Sequence, residues 1–251
     1  MPEAILVELT ARLRRHPWWT ARARFILSLL GSLHIGPPAT VLDAGCGWGT
    51  NLEALERAAY LVTGLDSSRE ALKRLDSPRR TLIECDLCQA FPTEAPVYDA
   101  VIAMDVLEHL DDDKAALRRL SERTKPNGAL IVSVPALPEL FSHFDEVQGH
   151  RRRYTPESLK ELIAAADLQA DRVFFWGQSL IPLIRSSRKR RAPAHFSEAE
   201  AYAYYTRLPL WPAPLLLRAL LSWENARALG GRAHTGSSLF AVVRRRQSAR
   251  M

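Results

Sequence analysis

The sequence predicts an α/β fold in which helices cover both faces of a mostly parallel sheet. From residue 40 onward, short apolar runs alternate with longer amphipathic helical patterns, which is the alternation of strand–helix–strand units. Several of these runs are apolar at every position, as expected of parallel strands that are buried on both faces. The first run, Thr40–Ala44, ends in a glycine-rich turn that leads into a helical pattern. Together these observations predict a doubly wound sheet whose ligand-binding edge follows the first strand.

The composition is that of an ordinary globular protein. Of 251 residues, 47% are apolar and 25% are charged, which excludes a disordered, collagen-like or coiled-coil chain. The three cysteines are too few to cross-link a chain of this length, so a reducing compartment is expected. The first residues do not form a signal-peptide pattern, and no stretch reaches the roughly 18 apolar residues of a membrane span. We therefore expect a cytoplasmic protein, with the inner face of the membrane as a second location.

The chain is predicted to begin with a helical cover over residues 1–36. Apolar side chains recur at helical spacing on both sides of His16–Trp19, and Gly36 with two prolines ends the pattern. Residues 37–177 are then predicted to hold six strands and the helices between them. The strands are predicted at Thr40–Ala44, Tyr60–Leu65, Thr81–Cys85, Tyr98–Met104, Ala129–Val134 and Arg172–Trp176, and the helices include Asn51–Ala59, Ser67–Leu75, Lys114–Thr124 and Pro156–Ala166.

The alternation is interrupted after residue 177. Residues 178–236 are rich in proline, arginine and aromatic side chains, and two short helices are predicted there, at Glu198–Tyr205 and Leu215–Ala228. Ser238–Arg244 is predicted to form a last strand within residues 237–251, which end in a frayed basic tail. About 59 residues thus separate the sixth strand from the seventh, and an insertion of this length usually serves a function.

The most informative stretch lies between the first strand and the helix that follows it. Asp43, Gly45, Gly47 and Gly49 form a D-x-G-x-G-x-G pattern. Glycine allows a sharp turn and lets a ligand approach the backbone closely. A dinucleotide-binding loop would need glycine or alanine at the sixth position of G-x-G-x-x-G, where Thr50 stands, and this disfavours a nicotinamide-dependent dehydrogenase. A glycine turn without a ligand is the remaining structural alternative.

Acidic residues follow three successive predicted strands. Asp66 and Asp86 come directly after the second and third strands, and Met104 with Asp105 ends the fourth. Because the carboxyl ends of parallel strands share one edge of the sheet, these side chains are expected to lie together. The glycine pattern and the order of these acids resemble the class I S-adenosylmethionine (SAM) dependent methyltransferases, over roughly residues 40–177 and the last strand.

Three shorter segments narrow the resemblance to the type-11 methyltransferases. They are His16–Arg24, which contains two adjacent tryptophans and an arginine, Leu107–Leu110 with the sequence LEHL, and Phe144–Thr155 with the sequence FDEVQGHRRRYT. These motifs are specific for the cofactor and carry little information on the methyl acceptor.

The resemblance implies a fold, a cofactor and a set of binding residues. The family sheet is Rossmann-like, with seven strands in the order 3-2-1-4-5-7-6 and an antiparallel last strand. SAM would be the cofactor and S-adenosylhomocysteine the product, with Asp66 on the ribose, Asp86 on the adenine and Met104 beneath the sulfonium. The N-terminal helices could fold over the cofactor, with Arg22 or Arg24 on its carboxylate, and buried packing of Trp18 and Trp19 is the alternative. The implied cofactor-binding residues are Trp19, Arg22, Asp43, Gly45, Cys46, Gly47, Asp66, Ser67, Asp86, Leu87 and Met104.

The candidates for catalysis are His109, His150 and Tyr154. A neutral imidazole could take the proton of an acceptor hydroxyl or amine, and His109 is preferred because it is nearest in sequence to Met104. For each candidate a local structural role is the alternative. The neighbouring run Arg151–Arg153 could hold an anionic acceptor or form salt bridges around a loop.

A metal centre is a further alternative. Asp105, Glu108 and His109 have i, i+3, i+4 spacing, and His150 is a fourth candidate ligand. Small-RNA 2′-O-methyltransferases and ubiquinone-pathway O-methyltransferases use a similar arrangement, but with glutamate at the first position, and no metal is predicted here. The pair Cys85-x-x-Cys88 lacks a second pair, so a small apolar role is expected for it.

The sequence thus predicts a SAM-dependent methyltransferase that acts on a small molecule. The net charge of +6 comes mostly from arginine runs such as Arg185–Arg191. This charge favours an anionic or lipid-linked acceptor, and a natural product is a further candidate acceptor. Residues 178–236 are predicted to line the acceptor side. Their basic and apolar residues could also contact a membrane surface, with a solvated charge run as the alternative, and no stable nucleic-acid complex is expected. The alternatives are metal-assisted O-methylation of RNA or of a catechol, and a non-catalytic SAM-binding partner subunit.

Overall fold

The protein is built around a seven-stranded sheet in the computed structural model, which describes residues 1–89, 91, 96–207 and 213–245. The strand order is β3-β2-β1-β4-β5-β7-β6, with β7 antiparallel to both of its neighbours and the other pairs parallel. The strands are β1 Thr40–Ala44, β2 Leu61–Asp66, β3 Arg80–Glu84, β4 Tyr98–Met104, β5 Thr124–Pro135, β6 Leu168–Trp176 and β7 Ser238–Arg245. This order confirms the predicted fold class. The predicted basic tail beyond residue 245 lies outside the described residues.

Two strands are longer than the sequence predicts. The strand β5 starts at Thr124, five residues before the predicted start at Ala129, and its register with β4 shifts between Tyr98 and Ala100. The strand β6 starts at Leu168, four residues before the predicted start at Arg172. In both cases polar residues at the beginning of the strand interrupt the apolar run on which the prediction depends.

Alternating side chains of the strands divide the core into two layers, one on each face of the sheet. In β4, Ala100 and Ile102 belong to one buried cluster, whereas Val101 and Ala103 belong to the other. The strand β7 alternates in the same way, with Phe240 on the first face. This period of two with both faces apolar is what a sheet covered by helices on both sides requires.

Eleven α-helices are described, and most of the longer ones begin with a recognisable cap. They are α1 Glu3–Glu8, α2 Thr10–Leu13, α3 Pro17–Ser32, α4 Thr50–Arg57, α5 Arg69–Lys73, α6 Asp113–Glu122, α7 His143–Gln148, α8 Pro156–Ala165, α9 Ile181–Arg188, α10 Glu198–Tyr205 and α11 Ala213–Leu229. The helix α8 starts with a capping box at Thr155 and a proline at its first position. The helix α10 starts with a capping box at Ser197. The predicted bounds of α10 are confirmed, whereas α9 was not predicted.

The N-terminal helices and the predicted insertion pack against each other and against the sheet. The Asn225 side chain joins α11 to α3 and to β6. Its amide nitrogen donates to the Ala21 carbonyl of α3, and its oxygen accepts from the Trp176 indole of β6. The buried carboxylate of Glu224 accepts from the backbone N–H groups of Gln178 and Ser179, ahead of α9. None of the described helices combines the length and the apolar character that a bilayer crossing requires.

Candidate active site

The glycine-rich turn after β1 has the backbone that the sequence predicts. Gly45, Gly47 and Gly49 all have positive φ angles, of 73°, 48° and 74°. The amides of Gly45 and Cys46 donate to the Leu65 carbonyl at 2.7 and 2.9 Å, which ties the turn to β2. A Cβ atom at Gly45 would lie 2.5 Å from Val106 Cγ2, so a side chain at this position would be strained and would also clash.

Asp66 joins the end of β2 to this turn. Its Oδ2 accepts from the Gly47 amide at 2.9 Å, and its Oδ1 accepts from the Ser68 amide at 3.0 Å. The carboxylate therefore holds the loop, and each oxygen keeps one further lone pair for a ligand hydroxyl.

Asp43 lies below the turn and is fully buried. One of its oxygens accepts a long hydrogen bond, 3.4 Å, from Asn51 Nδ2, and the other has no partner among the described residues. Burial, together with the negative charge of Asp66, raises the pKa of Asp43 to about 7. This carboxyl group therefore changes charge near neutral pH, and a cationic ligand nearby would favour its ionised form.

A cavity of about 430 Å³ opens above the turn and the strand ends, a size in the usual range of roughly 300–1,000 Å³ for small-molecule sites. All the predicted cofactor-binding residues except Asp43 line it, namely Trp19, Arg22, Gly45, Cys46, Gly47, Asp66, Ser67, Asp86, Leu87 and Met104. The chain thus brings together a glycine cradle without Cβ atoms, two strand-end carboxylates and apolar walls. These features suit the ammonium, ribose and adenine parts of SAM, although their individual roles remain predictions.

The N-terminal helices form one wall of this cavity, as a cover would. Leu6 and Glu3 of α1 line it, and the Glu3 carboxylate accepts from the Ser68 hydroxyl at 2.7 Å. The Trp19 ring lies 5.1 Å from the ring of Trp48 in the glycine turn. The neighbouring Trp18 packs instead against Trp176, with ring centroids 4.6 Å apart.

Arg22 contacts a carboxylate of the protein itself. Its guanidinium group is buried and donates to both oxygens of Asp105 and to the Ser133 hydroxyl. The side chain also lines the cavity, and its predicted contact with the cofactor carboxylate stays a prediction. The alternative, Arg24, is exposed on the outside of α3.

Two histidines meet at the edge of the cavity where β4 ends. The rings of His109 and His150 are 4.8 Å apart, and both residues line the cavity. The Nδ1 atom of His109 lies 3.1 Å from the Gly149 carbonyl, and its Nε2 is buried without a partner among the described residues. Burial lowers the pKa of His109 to about 3, with positive charge nearby adding to the effect, so this ring stays neutral at neutral pH.

His150 has a carboxylate partner. Its Nδ1 lies 3.1 Å from Asp145 Oδ1, and its Nε2 lies 3.8 Å from Glu108 Oε1. The segment Phe144–Thr155 contains both Asp145 and His150, but sequence analysis gave Asp145 no role as a partner of His150. The turn at Gly149, with φ of 73°, brings the two side chains together.

The structure does not bring Tyr154 to the cavity. The Tyr154 hydroxyl is buried and donates to Asp113 Oδ2 at 2.8 Å, and the residue is absent from the cavity lining. Arg151, Arg152 and Arg153 form ion pairs with Asp111, Asp113 and Asp145 respectively. The arginine run therefore braces the loop after α7, which is the structural alternative rather than an anion site.

The predicted alternative of a metal centre is incomplete. One ligand atom each from Glu108, His109 and His150 lies within 4.8 Å of the others. Asp105, the first candidate of the motif, is engaged by Arg22 and Ser133. Burial and the charge of Asp105 also raise the pKa of Glu108 well above its usual value, so this carboxyl is neutral in the absence of a cation. Three of the four predicted groups could hold an ion, and the fourth could not without breaking an ion pair.

The predicted insertion stands behind the cavity. None of the lining residues comes from its described part, residues 178–207 and 213–236. The fully buried Tyr202 of α10 instead packs against Trp48, with ring centroids 6.0 Å apart, and against Phe144 of α7 at 5.4 Å. The described residues of this segment thus back the wall of this cavity rather than form it, and the prediction that they line the acceptor side stays a prediction.

Comparison with known proteins identifies a methyltransferase domain in this chain. The family described as a methyltransferase domain matches residues 14–173, which is more than half of the chain. Ubiquinone biosynthesis O-methyltransferases are similar: that of Nitrosospira multiformis is 31% identical over 133 residues, or 47% of this chain and 56% of the relative. The enzyme of Xanthomonas campestris pv. campestris (strain B100) is 35% identical over 103 residues, which cover 39% of this chain and 43% of the relative. The chain thus spans about half the length of the curated relatives it matches.

A solved structure shows the same fold over most of the chain. A TehB-like SAM-dependent methyltransferase from Corynebacterium glutamicum superposes with a TM-score of 0.52 and 16% identity, covering 90% of this chain and 88% of that chain. The strand order, the glycine turn between β1 and α4, the strand-end carboxylates around one cavity and the family match agree with one another. This chain is a member of the class I SAM-dependent methyltransferases.

Proposed function

We propose that this chain binds SAM in the 430 Å³ cavity and transfers its methyl group to a hydroxyl oxygen of a small molecule. Asp66 would accept from the ribose hydroxyls, Asp86 would contact the adenine amine, and the glycine turn would pass along the amino-acid end above Asp43. When bound, SAM supplies an electrophilic methyl group on its sulfonium. The chain's own part is to hold both reactants in line and to exclude water.

The observation that carries the proposal is the position of His150. It lines the same cavity as the glycine turn and Met104, at the end of β4 where the sulfonium is expected. A neutral alcohol or phenol is a weak nucleophile, and a histidine base would remove its proton as the new bond forms. His109 is the weaker candidate, since its pKa of about 3 makes it a poor base at neutral pH. The proposal thus places the base at His150, against the preference from sequence.

The relatives named for ubiquinone biosynthesis support an O-methyltransferase with an acceptor that carries a lipid chain. The surface of the insertion also supports an acceptor that carries a lipid chain. Leu183, Leu216 and Trp223 are 59%, 67% and 52% exposed, and the Arg227 guanidinium lies 4.7 Å from the Trp223 ring centroid. Exposed apolar side chains beside arginines suit an anionic bilayer surface. Sedimentation with phosphatidylglycerol vesicles should carry down the wild type and lose most of the L216S/W223S double variant.

Two measurements test the proposed function. Calorimetry should show binding of SAM and of S-adenosylhomocysteine and no binding of NAD. Labelled SAM should then transfer its methyl group to a catechol or to a lipid extract, and H150Q should reduce the transfer by about 10²–10⁴-fold with little change in SAM affinity. Tight SAM binding with no transfer to any acceptor would instead favour the non-catalytic partner subunit.

A divalent ion in the same site is a second candidate, favoured by the cluster of Glu108, His109 and His150. It would supply a Lewis acid for the acceptor oxygen. Activity that is lost to a chelator, restored by Mg²⁺ or Zn²⁺ and abolished in E108Q would select this candidate. Chelator-resistant transfer would exclude it.

A further inference from the structure

We propose that Asp145 is a positioning residue that keeps the ring proton of His150 on Nδ1 and leaves the Nε2 lone pair directed at the acceptor. This inference rests on the proposed function, because it gives the base at His150 a structural cause. Neither residue type nor spacing revealed it in the sequence. It depends on the contacts that the fold makes around one buried carboxylate.

Apart from His150, every described partner of the Asp145 side chain is a hydrogen-bond donor. Its Oδ1 lies 3.1 Å from His150 Nδ1 and accepts from Arg153 Nε at 2.8 Å, and its Oδ2 accepts from the amide and hydroxyl of Ser142. Burial alone would raise the pKa of Asp145, but the bond from His150 and the charge of Arg153 lower it to about 2. The ion pair with the buried Arg153 guanidinium and the two donors of Ser142 favour the ionised carboxylate, which can only accept.

The tautomer of His150 follows from that charge. Nδ1 faces an acceptor and must carry the hydrogen, so in the neutral ring Nε2 has a free lone pair. The distance from Nε2 to Glu108 Oε1 is 3.8 Å, which is too long for a hydrogen bond. His150 lines the cavity, and no described hydrogen bond occupies its Nε2 atom.

The backbone holds this pair in place independently of the ligand. Asp145 is the third residue of α7 and forms a capping box with Ser142. Beyond the turn at Gly149, the His150 amide donates to the Asp145 carbonyl at 2.9 Å, and the Arg151 amide donates to the Glu108 carbonyl at 2.8 Å. The loop is thus tied at one end to α7 and at the other to the single helical turn that contains Glu108.

His109 lacks this arrangement, which distinguishes the two rings. Its Nδ1 faces the Gly149 carbonyl, which is uncharged, whereas that of His150 faces a carboxylate. A carboxylate stabilises the imidazolium that forms when the ring accepts a proton. In the proposed step, His150 Nε2 takes the hydroxyl proton while the acceptor oxygen donates an electron pair to the methyl carbon. The pair of the broken carbon–sulfur bond remains on sulfur, and the imidazolium later loses its proton to water.

Nitrogen NMR of histidine-labelled full-length protein tests the inference without any acceptor. The H150Q variant assigns the ring signals of His150 among the seven histidines. In the wild type we expect a protonated Nδ1 and an unprotonated Nε2. In D145N the asparagine amide can donate to Nδ1, so we expect the proton to move to Nε2, and D145E should restore the wild-type pattern.

The matched control is D113N, which removes a buried carboxylate paired with Arg152 and Tyr154 in the same loop without contacting His150. It should leave the His150 signals unchanged. A wild-type ring protonated on Nε2 would overturn the inference even if D145N failed to fold, and so would an unchanged tautomer in folded D145N. Failure of the proposed function is a separate result, since it appears as an absence of SAM binding or of methyl transfer while the tautomer remains as described.

Discussion

The clearest consequence of the site geometry concerns Asp66 and the affinity for SAM. The substitution D66A removes a carboxylate whose oxygens already hold the amides of Gly47 and Ser68 at 2.9 and 3.0 Å. Under the proposed assignment it would remove two charged hydrogen bonds to the ribose, and it also removes the bond that holds the glycine turn. Each bond to a charged group contributes about 1.5–3 kcal/mol, and incomplete additivity and residual contacts with water leave roughly 2–4 kcal/mol. The expected weakening of SAM binding is about 30- to 700-fold.

The matched control for D66A is D99A, at the opposite end of the same sheet. Asp99 likewise accepts from a backbone amide, that of Thr40 at 2.9 Å, and it also binds the Thr40 hydroxyl and Lys125. Its loss should lower the melting temperature and leave the dissociation constant of SAM within about threefold, which is well below 1 kcal/mol. Isothermal titration calorimetry of both variants provides the comparison. Equal SAM affinity in D66A and the wild type, or equal losses in D66A and D99A, would refute the assignment of Asp66 to the ribose.

Three further outcomes are expected. SAM affinity should rise between pH 6 and 8, because the pKa of Asp43 is about 7 and its ionised form favours the cationic ligand. The stability of the free protein should fall over the same range. Calorimetry and thermal melts of D43N should show that both pH dependences are flattened. G45A should abolish measurable SAM binding because of its clash with Val106, whereas G36A, whose Cβ meets no atom within 4 Å, should bind normally. Trypsin should cut first within 188–194, where most residues are exposed, and early peptides from α8 instead would contradict this.

The strand order and the cofactor half of the site were accessible from sequence because both depend on local patterns. A buried parallel strand is apolar at every position, and the glycine turn after β1 requires residues that tolerate positive φ. The start of β5 was missed because Lys125, Pro126, Asn127 and Gly128 have the composition of a turn, whereas the sheet accommodates them beside a register shift. The helix α9 was missed because proline and serine interrupt its short apolar pattern.

The catalytic half depends on contacts between distant segments, which composition and spacing do not encode. Arg22 is 83 residues from Asp105, yet the two form an ion pair that no local sequence pattern indicates. Tyr154 follows a strand end as predicted, but its hydroxyl is directed to Asp113 and away from the cavity. The preference for His109 from sequence proximity took no account of burial, which lowers the pKa of that ring to about 3.

The position of Tyr202 limits which residues of α10 can be varied when this protein is redesigned. Its ring touches both Trp48 in the turn that follows β1 and Phe144 beside Asp145. A library that randomises α10 to change the accepted substrate would therefore also disturb the binding of SAM. Many of its members would lose turnover because SAM binds poorly and not because the new substrate fails to bind. Selection for a new substrate should keep an aromatic ring at position 202 and vary the exposed positions of α10 first.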